Sequence, residues 1–188
     1  MPSDLETMST ASAPVVGSSA TVVRGRDAPV LYLDFDSVLH RGGAFVHCRL
    51  GVQAASPGAT LFEFAPLLAE DMRPFPDVLI VLATSWQLWR GYESTRARLP
   101  QELQPRVVGG TFHRQHHTRE LWWSTPRGLQ IWHDVQRRRP RAWVAVDDDD
   151  YGWPAWCRDR LVRTEDSSGY SDPAVRAQLR QQLALISA

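Results

Sequence analysis

The sequence predicts an α/β fold, with a central parallel sheet of about five strands and helices on both faces. Three observations predict it. Short apolar runs rich in β-formers recur at 30–33, 78–83, 106–108, 142–146 and 161–163. Segments with apolar residues at helical spacing stand between most of them, and this alternation is the pattern of a parallel sheet with helical crossovers. Polar residues gather at the ends of three runs, as Asp34 and Asp36, Thr84 and Ser85, and Asp147 and Asp148. Open sheets of this kind bind ligands beyond the carboxyl ends of their strands.

The chain has 188 residues, enough for one domain with a sizeable core. Residues 1–27 are rich in Ser, Ala, Thr, Pro and Gly and read as a loosely ordered tail, leaving 28–188 as the single domain. Val22 and Val23 could add a short edge strand. Asp4 and Glu6 stand where a secretory signal would carry Lys or Arg. Lys and Arg total 21, as do Asp and Glu, so net charge gives no push toward nucleic acid or an anionic membrane. No apolar stretch approaches a membrane span. Cys48 and Cys157 are far apart and read as reduced thiols, which suits a cytoplasmic protein.

The first run leads into Asp34-Phe35-Asp36. Carboxylates two apart at a strand end point the same way and repel, unless a cation sits between them. Mg²⁺ suits such a site because it prefers hard oxygen ligands; an ordinary surface Asp-x-Asp is the plainer reading. Residues 40–58 are rich in Gly and suggest a loop with at most a small hairpin. Leu61, Phe64, Ala65, Leu68 and Met72 follow helical spacing, closed by Pro74 and Pro76. The run at 78–83 ends in Thr84-Ser85-Trp86, and a helix is expected over 89–99. Gly109-Gly110 should break the short strand at 106–108. Residues 111–126 read as a polar, His-rich loop, and 127–138 as a helix closed by Pro140. The run at 142–146 passes straight into Asp147-Asp148-Asp149-Asp150, whose last two members read as a solvated turn. Asp172 should cap a final helix, with Pro173 at its first position.

These motifs, in this order, resemble the haloacid dehalogenase-like (HAD) phosphohydrolase superfamily over about 30–164. Asp34-Phe35-Asp36-Ser37-Val38-Leu39 looks like motif I, Thr84 like motif II, Arg127 like the motif III cation and Asp147-Asp148 like motif IV. Leu39-His40, Thr84-Ser85-Trp86, the segment 127–131 and the segment 143–149 further resemble the HAD domain associated with Swiss army knife RNA-repair proteins. Ser37 departs from the pattern, which has Gly there. Serine fits at negative φ and is strained at positive φ.

The resemblance implies a three-layer Rossmann-like fold and a Mg²⁺-dependent phosphatase mechanism. Asp34 would be the nucleophile that takes the phosphoryl group, and Asp36 the acid and then the base. Mg²⁺ would be held by Asp34, the Asp36 carbonyl and Asp148, the last preferred to Asp147, which occupies a position that is Gly in the single-Asp form of the motif. Thr84, with Ser85, would bond a phosphoryl oxygen, and Arg127 would neutralise its charge.

Plainer readings stand beside these. Thr84 and Ser85 could only cap a helix, and Arg127 could be a surface residue with Arg119 or Arg90 as the cation. Trp86 and Trp89 either stack a base or fill the core, with at least one in the core. His113, His116 and His117 lack the Cys or HExxH context of a zinc site. Other functions with the same motifs are a phosphotransferase, another HAD hydrolase on a small metabolite, or a silent binding module.

The segments 37–77 and 85–128 are too short for a large cap domain. An open site follows, able to admit a phosphate on a large molecule. With the closer resemblance, that points to nucleic-acid ends or nucleotides as substrate, with Arg114, His116, His117 and Arg119 at the rim.

Overall fold

The computed structural model describes residues 23–49 and 51–188. Five parallel strands form the central sheet in the order β5-β4-β1-β6-β7. They are β1 (Pro29–Leu33), β4 (Leu79–Leu82), β5 (Val107–Gly110), β6 (Ala142–Asp147) and β7 (Leu161–Arg163). An antiparallel hairpin, β2 (Ala44–His47) and β3 (Gly51–Ala54), stands apart from it. The helices are α1 (Ala65–Met72), α2 (Trp86–Arg90), α3 (Tyr92–Arg96), α4 (Arg119–Ser124), α5 (Arg127–Arg138) and α6 (Pro173–Ser187).

Every residue of β1 is buried, because both faces of the sheet are covered. Leu31 and Leu33 pack in the core that includes Leu68 and Met72 of α1 and Leu179 and Leu183 of α6. Val30 and Tyr32 pack in the opposite core with Ile131 and Val135 of α5. The chain builds outward from β1 to β4 and β5, then returns to lay β6 and β7 on the other side. The strand order therefore reverses beside β1, and that crevice is where such sheets bind ligands.

Two buried carboxylates fasten helices to this frame. Asp134 of α5 accepts from Tyr32 Oη at 2.9 Å and Arg138 Nε at 2.8 Å, and it also pairs with Arg137. Asp71 of α1 accepts from Tyr170 Oη at 2.9 Å and pairs with Arg176 at 2.7 Å and Arg180 at 2.9 Å, tying α1 to α6.

Several expectations need correction. The helix expected over 89–99 begins at Trp86 and is split into α2 and α3 by Gly91, whose φ of 78° no helix interior accepts. Gly109 and Gly110 extend β5 instead of breaking it, pairing with Val81 and Leu82. A Cβ on Gly110 would come within 1.7 Å of the Gln87 side chain, so glycine serves close approach there. The His-rich loop contains α4, capped by Thr118 Oγ1 on the Leu121 amide at 3.2 Å. Residues 23–27, expected in the tail, turn and bond to the domain through Asp27 N and Arg139 O at 3.1 Å. Val23 is not in a strand, and the rest of the expected tail, Val22 included, lies outside the described residues. Among the described residues no helix is long and apolar enough to cross a membrane.

Candidate functional site

The polar strand ends converge. Asp34 follows β1, and its amide donates to Val146 O of β6 at 3.1 Å; the Ala83 amide donates to Leu33 O at 2.8 Å. These bonds extend the ladders just past the strand ends, so the residues that follow are positioned by the sheet. Asp34, Asp147 and Asp148 each bring a carboxylate oxygen within 4.8 Å of the others. Asp34 and Asp147 are buried, and Asp148 is partly so.

Arg127, at the first turn of α5, reaches into this trio. Its Nη2 donates to Asp34 Oδ2 at 3.4 Å, and its Nε lies 3.2 Å from Asp147 Oδ2. Its Nη1 donates to Gln130 Oε1 at 3.0 Å, and the guanidinium lies over the Trp122 ring, 5.6 Å from its centroid. Gln130 is itself fixed by donating to Trp122 O and Thr125 O, both at 2.8 Å. Gly128 allows the first turn of α5 to approach Trp153, where a Cβ would meet the Trp153 Cα at 2.8 Å.

Three carboxylates facing one guanidinium leave an excess of negative charge in a site of low dielectric. Burial pushes Asp34 up to about 6; Arg127 opposes the shift, while Asp36 and Asp148 add to it. Burial, then the Asp34 charge, drives Asp147 well above the usual carboxylate range. Burial also raises Asp148. Burial works against the Arg127 charge, but Asp34, Asp147, Asp148 and Asp149 outweigh it and raise its pKa. Asp147 Oδ2 and Arg127 Nε are close yet not aligned as a hydrogen bond, and both are buried without another partner among the described residues. A hard divalent cation among the three carboxylates would reverse the carboxylate shifts, so the donor set fits Mg²⁺.

Asp36 takes a different direction. Its carboxylate accepts from Trp86 Nε1 at 3.1 Å to both oxygens and lies 3.2 Å from His40 Nε2. It therefore stands apart from the trio and faces a cavity of about 470 Å³, lined also by Phe45, Trp86, Trp89 and Trp123. Ser37 has φ of 56°, the strained alternative for a serine in that place. Its Oγ donates to Asp166 Oδ1 at 2.5 Å, and the Gly42 amide donates to Asp166 O at 3.0 Å. Asp166 lies well outside the motifs, and nothing in its neighbourhood of the sequence signals this role.

Thr84 is fully buried and does not line the two cavities that Ser85 lines; its Oγ1 accepts from the Trp86 amide at 3.4 Å, a local turn contact one residue ahead of Ser85, the cap position of α2. Ser85 is half-buried and lines both the cavity beside Asp36 and a second one of about 300 Å³, which Arg127, Trp123, Asp149 and Tyr151 also line. The residues expected at the rim do not line a single cavity. Arg114 lines a separate cavity with His113 and Gly110. His116 packs against His113, with ring centroids 6.2 Å apart. His117 is held below its ordinary pKa by burial and by neighbouring His113, His116 and His133. His113 is drawn 3.4 Å from Asp134 and 2.6 Å from Arg137, which carries this turn toward the side of α5. Arg119 shares a groove with Trp89 and Trp123, which also line the cavity beside Asp36. Phe45, Trp123 and Tyr151 were not legible as site residues, because an isolated aromatic carries no periodic or motif signal.

A family model described as "HAD domain in Swiss Army Knife RNA repair proteins" matches residues 30–175, from β1 into α6. No curated protein and no solved structure matches the chain.

Proposed function

The chain belongs to the family of HAD domains in Swiss Army Knife RNA repair proteins, and from that premise we propose that it is a Mg²⁺-dependent phosphomonoesterase. Its substrates are terminal phosphates of nucleic acids, or nucleotides, and it works through an aspartyl-phosphate. The observation that carries this reading is the cluster of Asp34, Asp147 and Asp148, the first two buried, around Arg127 at the carboxyl ends of β1 and β6.

Asp34, Asp148 and the Asp36 carbonyl would hold the metal, with Asp147, whose carboxylate lies within the same cluster, as the further candidate ligand. Bound there, Mg²⁺ supplies positive charge to the phosphoryl oxygens and keeps the carboxylates ionised. An Asp34 oxygen attacks phosphorus. The bond to the leaving oxygen breaks as Asp36 gives that oxygen a proton. Water then attacks the phosphoryl group and gives its proton to Asp36, and the bond to Asp34 breaks. Arg127 bears the charge that develops on the equatorial oxygens. Ser85 is the hydroxyl with access to both cavities and is favoured over Thr84 as a direct phosphate ligand.

The test is phosphate release from a phosphate-ended RNA, a mononucleotide and a sugar phosphate, with Mg²⁺ and with chelator. Metal-dependent release is expected, and Asp34→Asn should abolish it while leaving the thermal transition cooperative. A folded Asp34→Asn protein with near-wild-type turnover would overturn the assignment.

A further inference from the structure

The cavity beside Asp36 is lined by exposed apolar side chains, most of them aromatic. Phe45 and Val46 of the hairpin stand on one side, 49% and 65% exposed, and Trp89 and Trp123 on the other, 64% and 60% exposed. The two indoles meet edge to face, with centroids 6.1 Å apart and planes at 78°. The core does not require these rings at the surface. Trp86, 4% exposed, connects the wall to the chemistry, since its Nε1 holds the Asp36 carboxylate. The volume of about 470 Å³ lies in the range of small-ligand pockets, roughly 300–1,000 Å³.

We propose that this cavity is a stacking subsite for the unpaired terminal base of a phosphate-ended polynucleotide. The inference rests on the phosphatase reading above and adds what lies next to the phosphate. Flat aromatic faces suit nucleobases of any identity, because every base has a π-face. Arg90 lines the same cavity, and Arg119 lines the adjoining groove with Trp89 and Trp123. Both are exposed, and both are placed to meet backbone phosphates of the following nucleotides. The apolar wall thus continues from the candidate acid to a cationic edge, which matches a nucleotide. A terminal base in a blunt duplex is held beside its paired partner and cannot enter the cavity alone, so the subsite favours single-stranded ends.

The experiment compares kcat/KM for short single-stranded RNAs phosphorylated at the 5′ or the 3′ end. Each is made with an intact terminal nucleotide and with an abasic one, and ribose 5-phosphate serves as the baseless control. The proteins are wild type, Trp89→Ala, Trp123→Ala and, as a remote exposed control, Trp156→Ala. For at least one end, wild type should prefer the intact terminus by about tenfold or more, the scale of one stacked base. Trp89→Ala and Trp123→Ala should remove that preference, bringing kcat/KM for the intact end down to that for the abasic end of the same variant. Trp156→Ala should behave as wild type. Equal kcat/KM for intact and abasic ends overturns the subsite and leaves the phosphatase standing. If no substrate releases phosphate, the phosphatase reading fails, and tryptophan fluorescence decides the subsite. Quenching by the intact RNA that is weaker with abasic RNA and lost in Trp89→Ala supports it; no quenching overturns it. A changed association state in the two tryptophan variants, with unaltered substrate preference and quenching, assigns the patch to a protein contact and overturns the proposal.

Discussion

Asp148, Asp149 and Asp150 share a charge and a run, yet their surroundings divide them. Asp148 is half-buried and joins Asp34 and Asp147, whereas Asp149 is exposed and its Oδ1 accepts from the Tyr151 amide at 2.8 Å as a turn residue does. Asp148→Ala should therefore weaken the apparent Mg²⁺ affinity far more than Asp149→Ala or Asp150→Ala. Equal affinities in a Mg²⁺ titration of activity would refute Asp148 as a ligand. Ser37 illustrates a second residue-scale tension. Its φ of 56° is costly for a side chain bearing Cβ, by roughly 1–2 kcal/mol, and the bond to Asp166 offsets part of that. Ser37→Ala keeps the strain and loses the bond, whereas Ser37→Gly loses both. Denaturant unfolding should place Ser37→Gly above Ser37→Ala by about 0.5 kcal/mol or more, after allowing for the greater entropy of unfolded glycine. The reverse order would show that strain at this position is negligible.

At the scale of elements, α5 matters through where its first turn sits. Arg127 reaches Asp34 and Asp147 because Gly128 lets the turn lie against Trp153, and Trp153 is fixed by its Nε1 donating to Asp149 O at 2.9 Å. The obstructing atom for a Cβ is backbone, so Gly128→Ala must move either the helix or the loop after β6. Overpacking of this kind costs roughly 1–3 kcal/mol. The predicted outcome is a lower melting temperature together with at least about a tenfold fall in kcat, since a small misplacement of a charge-neutralising group is amplified in rate. A stable variant with unaltered kcat would show that α5 tolerates the shift. The β4–α2 turn has a comparable fastening: Gln87 Nε2 donates to Leu82 O at 3.0 Å and to Thr84 O at 3.2 Å, and Gly110 leaves room for it.

For the molecule as a whole, the buried ionic knots tie stability to pH. Burial alone would raise Asp134, but the bond with His113 and the charges of Arg138 and Arg137 outweigh it and hold the group well below the usual carboxylate range. Asp71 is lowered as well, burial again being opposed by Arg176, Arg180 and Tyr170. A carboxylate depressed on folding contributes stability that is fully present above its unfolded value, about 3.9, and lost as pH falls toward the folded value. Stability should therefore decline steeply below about pH 4. Asp134→Asn should cost about 3 kcal/mol near neutrality, because it leaves Arg138 buried without its counter-charge, and should flatten the acid decline. Chemical denaturation of both proteins across pH 2–7 checks this, and parallel curves would exclude Asp134 as a source of the acid sensitivity.

The sequence by itself determined the strands, their alternation with helices, and the polar residues at their ends. Apolar runs and helical spacing are local signals, and a motif residue beside such a run inherits its place from it. This is why Asp34, Asp147 and Asp148 are legible in the sequence as strand-end residues, and why α5 begins and ends where its spacing says. The Rossmann-like sheet and the family followed from the same motifs in order. Tertiary structure alone decided how distant pieces meet. Tyr32 and Asp134 are 102 positions apart, and Ser37 and Asp166 are 129 apart. No periodicity spans such intervals; packing and the closing of each buried polar group select those pairs. Packing also turned Asp36 toward Trp86, drew the histidine-bearing turn toward α5 and left Trp89 and Trp123 facing solvent. A side chain's direction depends on which neighbour satisfies it, and that neighbour exists only once the chain has folded.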